Sequence, residues 1–455
     1  MSPADTIVAL STPPGRSGIG IIRIAGPDSL RLVGSLLKNV NFNPEPNKVF
    51  LRNLYDINSE EILDKVLIIY FKAPNSFTGE NIVELSCHGS PTLLSHIVDS
   101  LLELGARTAD AGEFTLRALS NGKLNLSQAE AVRDLIDAQT YSAVVQASRQ
   151  LNGELSTRLQ PVKEKLIEII VPLESALEFV EDDLPVNIAS SVHEKLKALS
   201  TLLNDLANTF RRGQLLKNGL RISLVGRPNV GKSSLFNALI SSERAIVTDI
   251  PGTTRDAINE TLNINGVPVT LTDTAGIRKS EDKIEQLGIQ RTERAISDSD
   301  LIIAVLDGSA QITEEDREVL KQVSKYRHLV AVNKSDLKHL DISDLTHKLS
   351  NSIFIHLSAI TGSGLDALRS AILKAFAGSG SWETEFLITN SRHYDLLIRA
   401  AKSIKSSEAL LQSQASEELL LVGLYEALSF LGEITGETTS EDVLSQIFST
   451  FCIGK

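Results

Sequence analysis

Three rhythms of hydrophobic and polar positions follow one another along the 455 residues. Residues 1–120 carry short β-rich runs, IVALS at 7–11, GIIRIAG at 20–26, VLIIYF at 66–71 and IVELSCHG at 82–89. A helical stretch, SPTLLSHIVDSLLELGA, lies among them, and Gly/Pro punctuation such as TPPGRSGIG separates the elements. This mixture predicts a compact α+β domain. From Ser127 the period lengthens to that of helices, in QAEAVRDLIDAQTYSAVVQASRQL, LSTRLQPVKEKLIEIIVPLESALEF and HEKLKALSTLLNDLANTFRR, with the acidic turn VEDDLP at 180–185 between them.

Between Gly219 and Ala377 the chain alternates buried strands with helices: LRISLVG, VTLTDTAG, LIIAVLDGS, LVAVNKSD and IFIHLSA each lead into a loop. That alternation predicts a doubly wound α/β sheet. Helical periodicity then returns in SRHYDLLIRAAKSIKSSEALLQ, ASEELLLVGLYEALSFLGEI and SEDVLSQIFSTF. The helices before residue 215 and after 385 each lack a complete core alone, so they are expected to pack together with the α/β domain inserted between them. The predicted architecture is multidomain: an α+β domain (1–120), a helical bundle in two parts (121–216 and 379–455) and an inserted α/β P-loop G domain of Ras-like type (217–378).

Composition narrows the function classes. With 42% hydrophobic and 22% charged residues the chain can fill and coat several cores. No apolar run nears the ~18 residues of a membrane span, and MSPADTIVAL lacks a basic secretory start, so a cytoplasmic location and no membrane partner are expected. Cys87 and Cys452 are the only cysteines, too few for a disulfide framework. The net charge of −12 argues against indiscriminate nucleic-acid binding.

The chemistry is concentrated in four segments. GRPNVGKS, Gly226 to Ser233, follows a strand and opens a helix, the setting of a phosphate-binding loop. Backbone N–H groups from Asn229, Val230, Gly231, Lys232, Ser233 and Ser234 would cradle phosphates, Lys232 would neutralise the β/γ oxygens, and Ser233 would ligate Mg²⁺. GTTRD offers Thr254 as the second Mg²⁺ ligand, with Thr248 and Thr253 beside it on the same switch. DTAG supplies Asp273, Thr274, Ala275 and Gly276 around the metal and γ-phosphate. NKSD brings Asn333, Lys334 and Asp336, whose carboxylate can accept two hydrogen bonds from guanine that adenine cannot give, and Ser358 and Ala359 would close over the base. The nucleotide is therefore GTP. The position after DTAG, where Ras-type GTPases orient water with glutamine, holds Ile277; Glu281, Asp282 and Glu285 are the replacement candidates, each also readable as a solvated surface charge.

The order of these blocks, with GRPNVGKSSLFNAL, TDIPGTTRD, SFTGENIVELSCHGS, GEFTLRALSNGKLNLSQAEAV, ITNSRHYD and the terminus FCIGK, resembles the bacterial tRNA-modification GTPase family MnmE, also called TrmE. The resemblance implies a function that spacing does not reveal. With a flavoprotein partner of the MnmG type, which carries FAD, such proteins add aminomethyl or carboxymethylaminomethyl groups to C5 of the wobble uridine of tRNA. The one-carbon unit comes from a tetrahydrofolate derivative, 5-formyl or methylene, bound by the N-terminal domain, and GTP hydrolysis is required. It further implies a homodimer through the N-terminal domains, a heterotetramer with the flavoprotein, and G domains that meet across the dimer when GTP and K⁺ are bound. Folate contacts would fall on Arg23, Glu84, Lys123 and Lys455; K⁺ on Asn229, Thr248, Ile250 and Thr253; water orientation on Glu285. DAGEF departs from the family's usual proline before the glycine, and SCHGS replaces QGHGG, with Cys87 and His88 read as packing residues.

The ending FCIGK leaves a choice. Cys452 stands fourth from the end, as in prenylated proteins, but Gly454 and Lys455 fit that signal poorly. Alternatively SEDVLSQIFSTF starts a helix at Ser440 whose face of Val443, Leu444, Ile447 and Phe448 docks and delivers Cys452 and Lys455 to the folate-bearing domain of this or the partner subunit. Cys452 is then a candidate nucleophile or proton donor toward the uridine, or else a small buried hydrophobe. A ribosome-assembly GTPase and a lipid-anchored signalling GTPase are the competing functions.

Overall fold

The computed structural model describes residues 5–178, 186–242, 259–273, 298–337, 352–377, 385–413, 416–437 and 441–454. The chain forms two compact units, one of Met1–Arg133, Leu151–Ser156 and Gly432–Lys455, the other of Asp134–Gln150 and Thr157–Leu431. In the first, strands β1 (Ile7–Leu10), β2 (Ser17–Ala25), β3 (Val49–Tyr55), β4 (Ile62–Phe71), β5 (Ile82–Gly89) and β6 (Arg107–Thr108) make one sheet in the order β3-β4-β5-β2-β1-β6. All pairings are antiparallel except β1 with β6. Helices α1 (Ser29–Leu36), α2 (Pro91–Glu103), α3 (Glu113–Ser120) and α4 (Leu126–Asp137) complete this part of the chain.

The sheet register explains which residues are inside. Phe50, Ile68, Leu85, Ile22 and Leu10 lie in one cross-strand row. This face belongs to the core that Leu32, Val33 and Leu36 of α1 share with Leu94, Ile97 and Leu101 of α2. On the other face Ile7, Ala25, Ile82 and Phe71 pack with Phe114 of α3. The next row over, Val49, Ile69, Glu84, Arg23 and Ala9, joins that core only at Ala9, and the row after it is Leu51, Leu67, Ser86 and Ile21. β3 escapes a reading of the sequence because Val49 and Leu51 are exposed and only Leu54 is fully buried, so its alternation is faint.

In the second unit α5 (Tyr141–Leu151), α6 (Glu154–Glu178), α7 (Val186–Asn208) and α8 (Phe210–Asn218) precede the inserted sheet. Its members are β7 (Leu220–Val225), α9 (Lys232–Ser242), β8 (Asn259–Ile264), β9 (Val267–Asp273), β10 (Leu301–Asp307), α10 (Glu314–Val323), β11 (His328–Asn333), β12 (Ile353–His356) and α11 (Leu365–Ala377). The strand order is β12-β11-β10-β7-β9-β8, parallel throughout except for the β8–β9 hairpin. β10 is buried along its whole length, as a parallel strand covered on both faces must be. Helices α12 (Ser391–Gln412) and α13 (Glu417–Thr435) follow.

The two helical stretches on either side of the sheet do pack together. Buried Leu396, Leu397, Ala400 and Ile404 of α12 and Leu196, Leu199 and Leu203 of α7 recur at helical spacing, and His193 of α7 meets Glu408 of α12 at 3.5 Å. The returning chain is held by backbone: Gln146 Nε2 donates to Glu385 O (2.8 Å), Leu387 N to Gln146 Oε1 (3.1 Å) and Ile388 N to Thr209 Oγ1 (3.0 Å). The last helix, α14 (Glu441–Phe448), belongs to the first unit, where Phe448 and Phe451 pack with Ala129, and Leu116, Leu119, Val132, Leu444 and Ile447 lie against them. The docking face expected from the sequence is therefore real for Leu444, Ile447 and Phe448. Ser440 and the Val443 side chain lie outside the described residues.

Candidate functional site

The phosphate-loop segment begins where β7 ends. Here the sheet order turns from β9 on one side of β7 to β10 on the other, the place where doubly wound sheets open a crevice at their carboxyl ends. Asn229 and Gly231 have φ of 64° and 97°, which curls the loop over. Gly231 has a second reason to lack a side chain, since a Cβ there would stand 2.3 Å from Asn333 Nδ2. That amide ties the segments together: Asn333 Nδ2 donates to Val230 O (3.0 Å), and Ala359 N donates to Asn333 Oδ1 (3.0 Å). GRPNVGKS, NKSD and the Ser358–Ala359 stretch are thus linked through one buried side chain.

Lys232 is buried and donates to Gly226 O and Arg227 O, both at 2.8 Å, so its ammonium is held inside the loop. Ser233 and Ser234 are exposed at the start of α9. Arg227 places its Nε 3.1 Å from both oxygens of Asp316, a buried carboxylate that also closes the capping box of α10 with Thr313. Lys334, at φ 65°, donates to Asp307 Oδ2 (2.6 Å). Burial pushes the Asp307 carboxyl up, but Lys334 and the N–H and hydroxyl of Ser309 together hold it below the ordinary carboxylate range. Asp336 is exposed on the turn after β11, and Ser358 is buried with its hydroxyl accepting from Thr361 N (3.2 Å). Asp273 ends β9. Thr248, Ile250, Thr253, Thr254, Thr274, Ala275, Gly276, Ile277, Glu281, Asp282 and Glu285 lie outside the described residues, as does the Asp273 side chain.

In the first unit Arg23 of β2 and Glu84 of β5 are directly paired across the sheet, with Arg23 Nε and Nη2 each 2.8 Å from Glu84 Oε1. The guanidinium also stands 5.5 Å over the Phe114 ring and donates weakly to Gly454 O (3.4 Å). The chain's ending reaches the same place: Gly112 N donates to Cys452 O (3.3 Å), Ile453 bridges Ala111, and Ser11 Oγ donates to Gly454 O (3.2 Å). Cys452 is exposed, which removes the alternative of a small buried hydrophobe. Lys123 is exposed beyond α3; its stem lies along the Gly79 turn. Lys455 lies outside the described residues.

Cys87 is a packing residue as expected, and burial pushes its thiol up to about 12. His88 is not: it is exposed, with Nδ1 2.6 Å from Asp64 Oδ1, because alternation along β5 turns it away from the core that Cys87 enters.

Sequence reading missed a charged cluster beside the tail. Glu113, fully buried, accepts from Arg107 Nη2 (2.7 Å) and Arg117 Nη2 (2.9 Å). Asp5 pairs with both arginines at 2.7–2.8 Å, and Glu80 pairs with Arg117 at 3.1 Å. Burial pushes the Glu113 carboxyl up, yet Arg107, the Asp110 N–H and Arg117 outweigh it and hold it below its ordinary value. Arg107 does the same for Asp5. The one available signal was the i, i+4 spacing of Glu113 and Arg117 in GEFTLR.

A family model described as the MnmE helical domain matches residues 126–452, and one described as the GTP-binding protein TrmE N-terminus matches residues 6–123. The tRNA modification GTPase MnmE of Aquifex aeolicus is 43% identical over 452 residues, covering 99% of this chain and 100% of that protein. Its namesakes in Koribacter versatilis and Clostridioides difficile are 42% and 39% identical, each over 455 residues and 99% of both chains. Matched over residues 6–123 and 126–452 by the two family models and over 99% of its length by these relatives, the chain belongs to the MnmE (TrmE) family.

Proposed function

We propose that this chain, a GTP-hydrolysing enzyme of tRNA modification by its family, acts with an FAD-carrying flavoprotein of the MnmG type. In this reading it transfers a folate-derived one-carbon unit toward C5 of the wobble uridine, giving the aminomethyl or carboxymethylaminomethyl group. The observation that carries the reading is the meeting of the FCIG segment with the Arg23–Glu84 pair, which leaves the Cys452 thiol exposed. The donor set suits a reduced folate: a carboxylate for the pterin N–H groups, with Arg23 and the exposed Lys123 for a glutamate tail. Cys452 is the group proposed to react as nucleophile or proton donor, and Lys455 completes the folate contacts.

For the G domain, the curled loop, the inward Lys232 and the exposed Asp336 suit GTP. Ser233 and Thr254 would hold Mg²⁺, with Asp273, Thr274, Ala275 and Gly276 next to the γ-phosphate and Ser358 and Ala359 at the base. Asn229, Thr248, Ile250 and Thr253 would hold K⁺, which supplies positive charge as the phosphates develop theirs, and Glu285 would orient water. The Asn229 amide makes no hydrogen bond among the described residues, which leaves its oxygen for a cation. A homodimer through residues 1–120 is supported by the exposed apolar surface of Val49, Leu51, Leu67 and Ile19 bordering the Arg23–Glu84 row. Among the described residues no helix is long and apolar enough to cross a membrane. Family membership sets aside the ribosome-assembly and lipid-anchored alternatives. The test is reconstitution with the flavoprotein, tetrahydrofolate derivative, GTP and unmodified tRNA. A modified wobble nucleoside that appears only when folate and GTP are both present is expected; an unchanged nucleoside with every component active would refute the reading.

A further inference from the structure

Glu113 is spent on one turn of chain. Besides its two arginines, its carboxylate accepts the backbone N–H of Asp110 at 2.8 Å, while Glu113 N donates back to Asp110 O at 3.2 Å. The turn closed in this way, Asp110 to Gly112, is what the chain's ending pairs with, through Ala111 against Ile453 and Gly112 N–H to Cys452 O. Gly112 sits at φ 68°, and a Cβ there would come within 2.9 Å of the Phe451 Cβ and 3.0 Å of Phe448 Cδ1. The C-terminal segment is thus held against the turn twice, by its backbone pairing and by the Phe448–Phe451 pair, ring centroids 5.1 Å apart, packed on Gly112. A fully desolvated carboxylate between two guanidinium groups is a poor way to stabilise a helix start that an apolar residue could fill. Its use here fits the fixing of one geometry.

We propose that the Arg107–Glu113–Arg117 cluster positions the C-terminal tail for the tRNA-modifying reaction, with Glu113 as the positioning residue that sets the Asp110–Gly112 turn and so the location of the Cys452 thiol. The proposal rests on the reading of the tail as an active-site element. Glu113 touches no reacting group; it acts through the turn. Charge is what matters in it: Glu113→Gln keeps the shape and an acceptor for the Asp110 N–H but removes the buried one of the two anions, Glu113 and Asp5, that Arg107 and Arg117 share.

The experiment follows the tail and the reaction separately in the full chain. Because Cys87 is buried with its thiol raised to about 12, a maleimide fluorophore at neutral pH reports Cys452 alone. In Glu113→Gln the anisotropy of that label is expected to fall toward the value of a free peptide. Unlabelled Glu113→Gln is expected to lose tRNA modification by roughly 10- to 100-fold, as a misplacement of about an ångström does, with GTP hydrolysis within about twofold of wild type. Gly112→Ala, which leaves every charge in place but crowds Phe451 and Phe448 and strains a φ of 68°, is expected to do the same, so the result does not depend on one variant folding. Arg107→Lys, which keeps a cation beside Glu113, is expected to retain part of the anisotropy. Unchanged anisotropy in both Glu113→Gln and Gly112→Ala would overturn the cluster's hold on the tail. Lowered anisotropy with full modification would overturn its role in the reaction by sinking the tail reading itself.

Discussion

In the proposed nucleotide site the glycine loop is one short stretch at the end of β7, and among the described residues the distant Asn333 ties it to Ala359. In the tail site, by contrast, Ser11, Arg23 and Gly112 meet residues 452–454 at the far end of the chain, with Glu84 pairing to Arg23. The first site is made of backbone conformation, and its side chains are few and local. The second is made of long-range pairings secured by desolvated charge. A site of the first kind tolerates changes elsewhere in the fold, whereas one of the second kind can be lost through residues that never touch substrate. GTP hydrolysis and tRNA modification should therefore be separable by substitution in one direction: damage at the tail spares hydrolysis, while damage at the loop removes both.

The sharpest break of this comparison at the nucleotide side is Lys232→Ala. Hydrolysis should fall by about 10²–10³-fold, the size of effect seen when one preorganised charge donor is removed, and modification should fall with it, while the fluorescence anisotropy of a label on Cys452 stays at its wild-type value. A change in that anisotropy would show the two sites to be coupled and would contradict the separation. Glu285→Ala comes next: kcat for GTP should drop ~10²-fold with little change in nucleotide affinity. Equal loss from Glu281→Ala and none from Glu285→Ala would move the role. Turnover of the unaltered chain should also be higher in K⁺ than in Na⁺ buffers, and equal rates would remove Asn229 from cation binding.

Smaller effects sharpen the tail side. Glu113 and Asp5 have carboxyls held below their ordinary values in the fold. A group depressed on folding stabilises the native state above its unfolded pKa and loses that contribution as pH falls through the folded value. Thermal stability should accordingly decline as pH drops below about 4, and the deficit of Glu113→Gln relative to wild type should shrink over the same window. A deficit constant from pH 7 to pH 3 would show that ionisation of Glu113 contributes nothing. The least effect belongs to the nucleotide unit: Thr313→Ala removes the α10 cap and should cost about 1 kcal/mol in denaturant unfolding, without altering modification.

The sequence carried the nucleotide unit in unusual detail because its signals are local. A strand, a glycine loop and a helix in succession place Lys232, and NKSD after β11 places Asn333, without any knowledge of the tertiary fold. The β8 edge was not legible, since its polar residues blur alternation in NETLNI. The helical halves were found through their period, and the apolar face of α14 through Leu444, Ile447 and Phe448. The tail's seat was not legible in the same way: nothing near Cys452 in sequence indicates Gly112 or Ser11, and the resemblance named Arg23 and Glu84 without saying that they pair with each other. Glu113 was missed because a Glu four residues before an Arg reads as a solvated helix pair, and only tertiary burial turns it into a buried ion cluster. His88 was misread because alternation along β5, with Cys87 buried, turns it to the other face, and in sequence the pair looked like a unit.

The most direct test of the separation is a single reconstitution with the chain ending at Phe451, assayed in one sample for phosphate release and for the wobble nucleoside. Hydrolysis within about threefold of the full chain, equivalent to roughly 0.6 kcal/mol in barrier, together with no modified nucleoside is the predicted result. A truncated chain that modifies tRNA at the full rate would contradict the account.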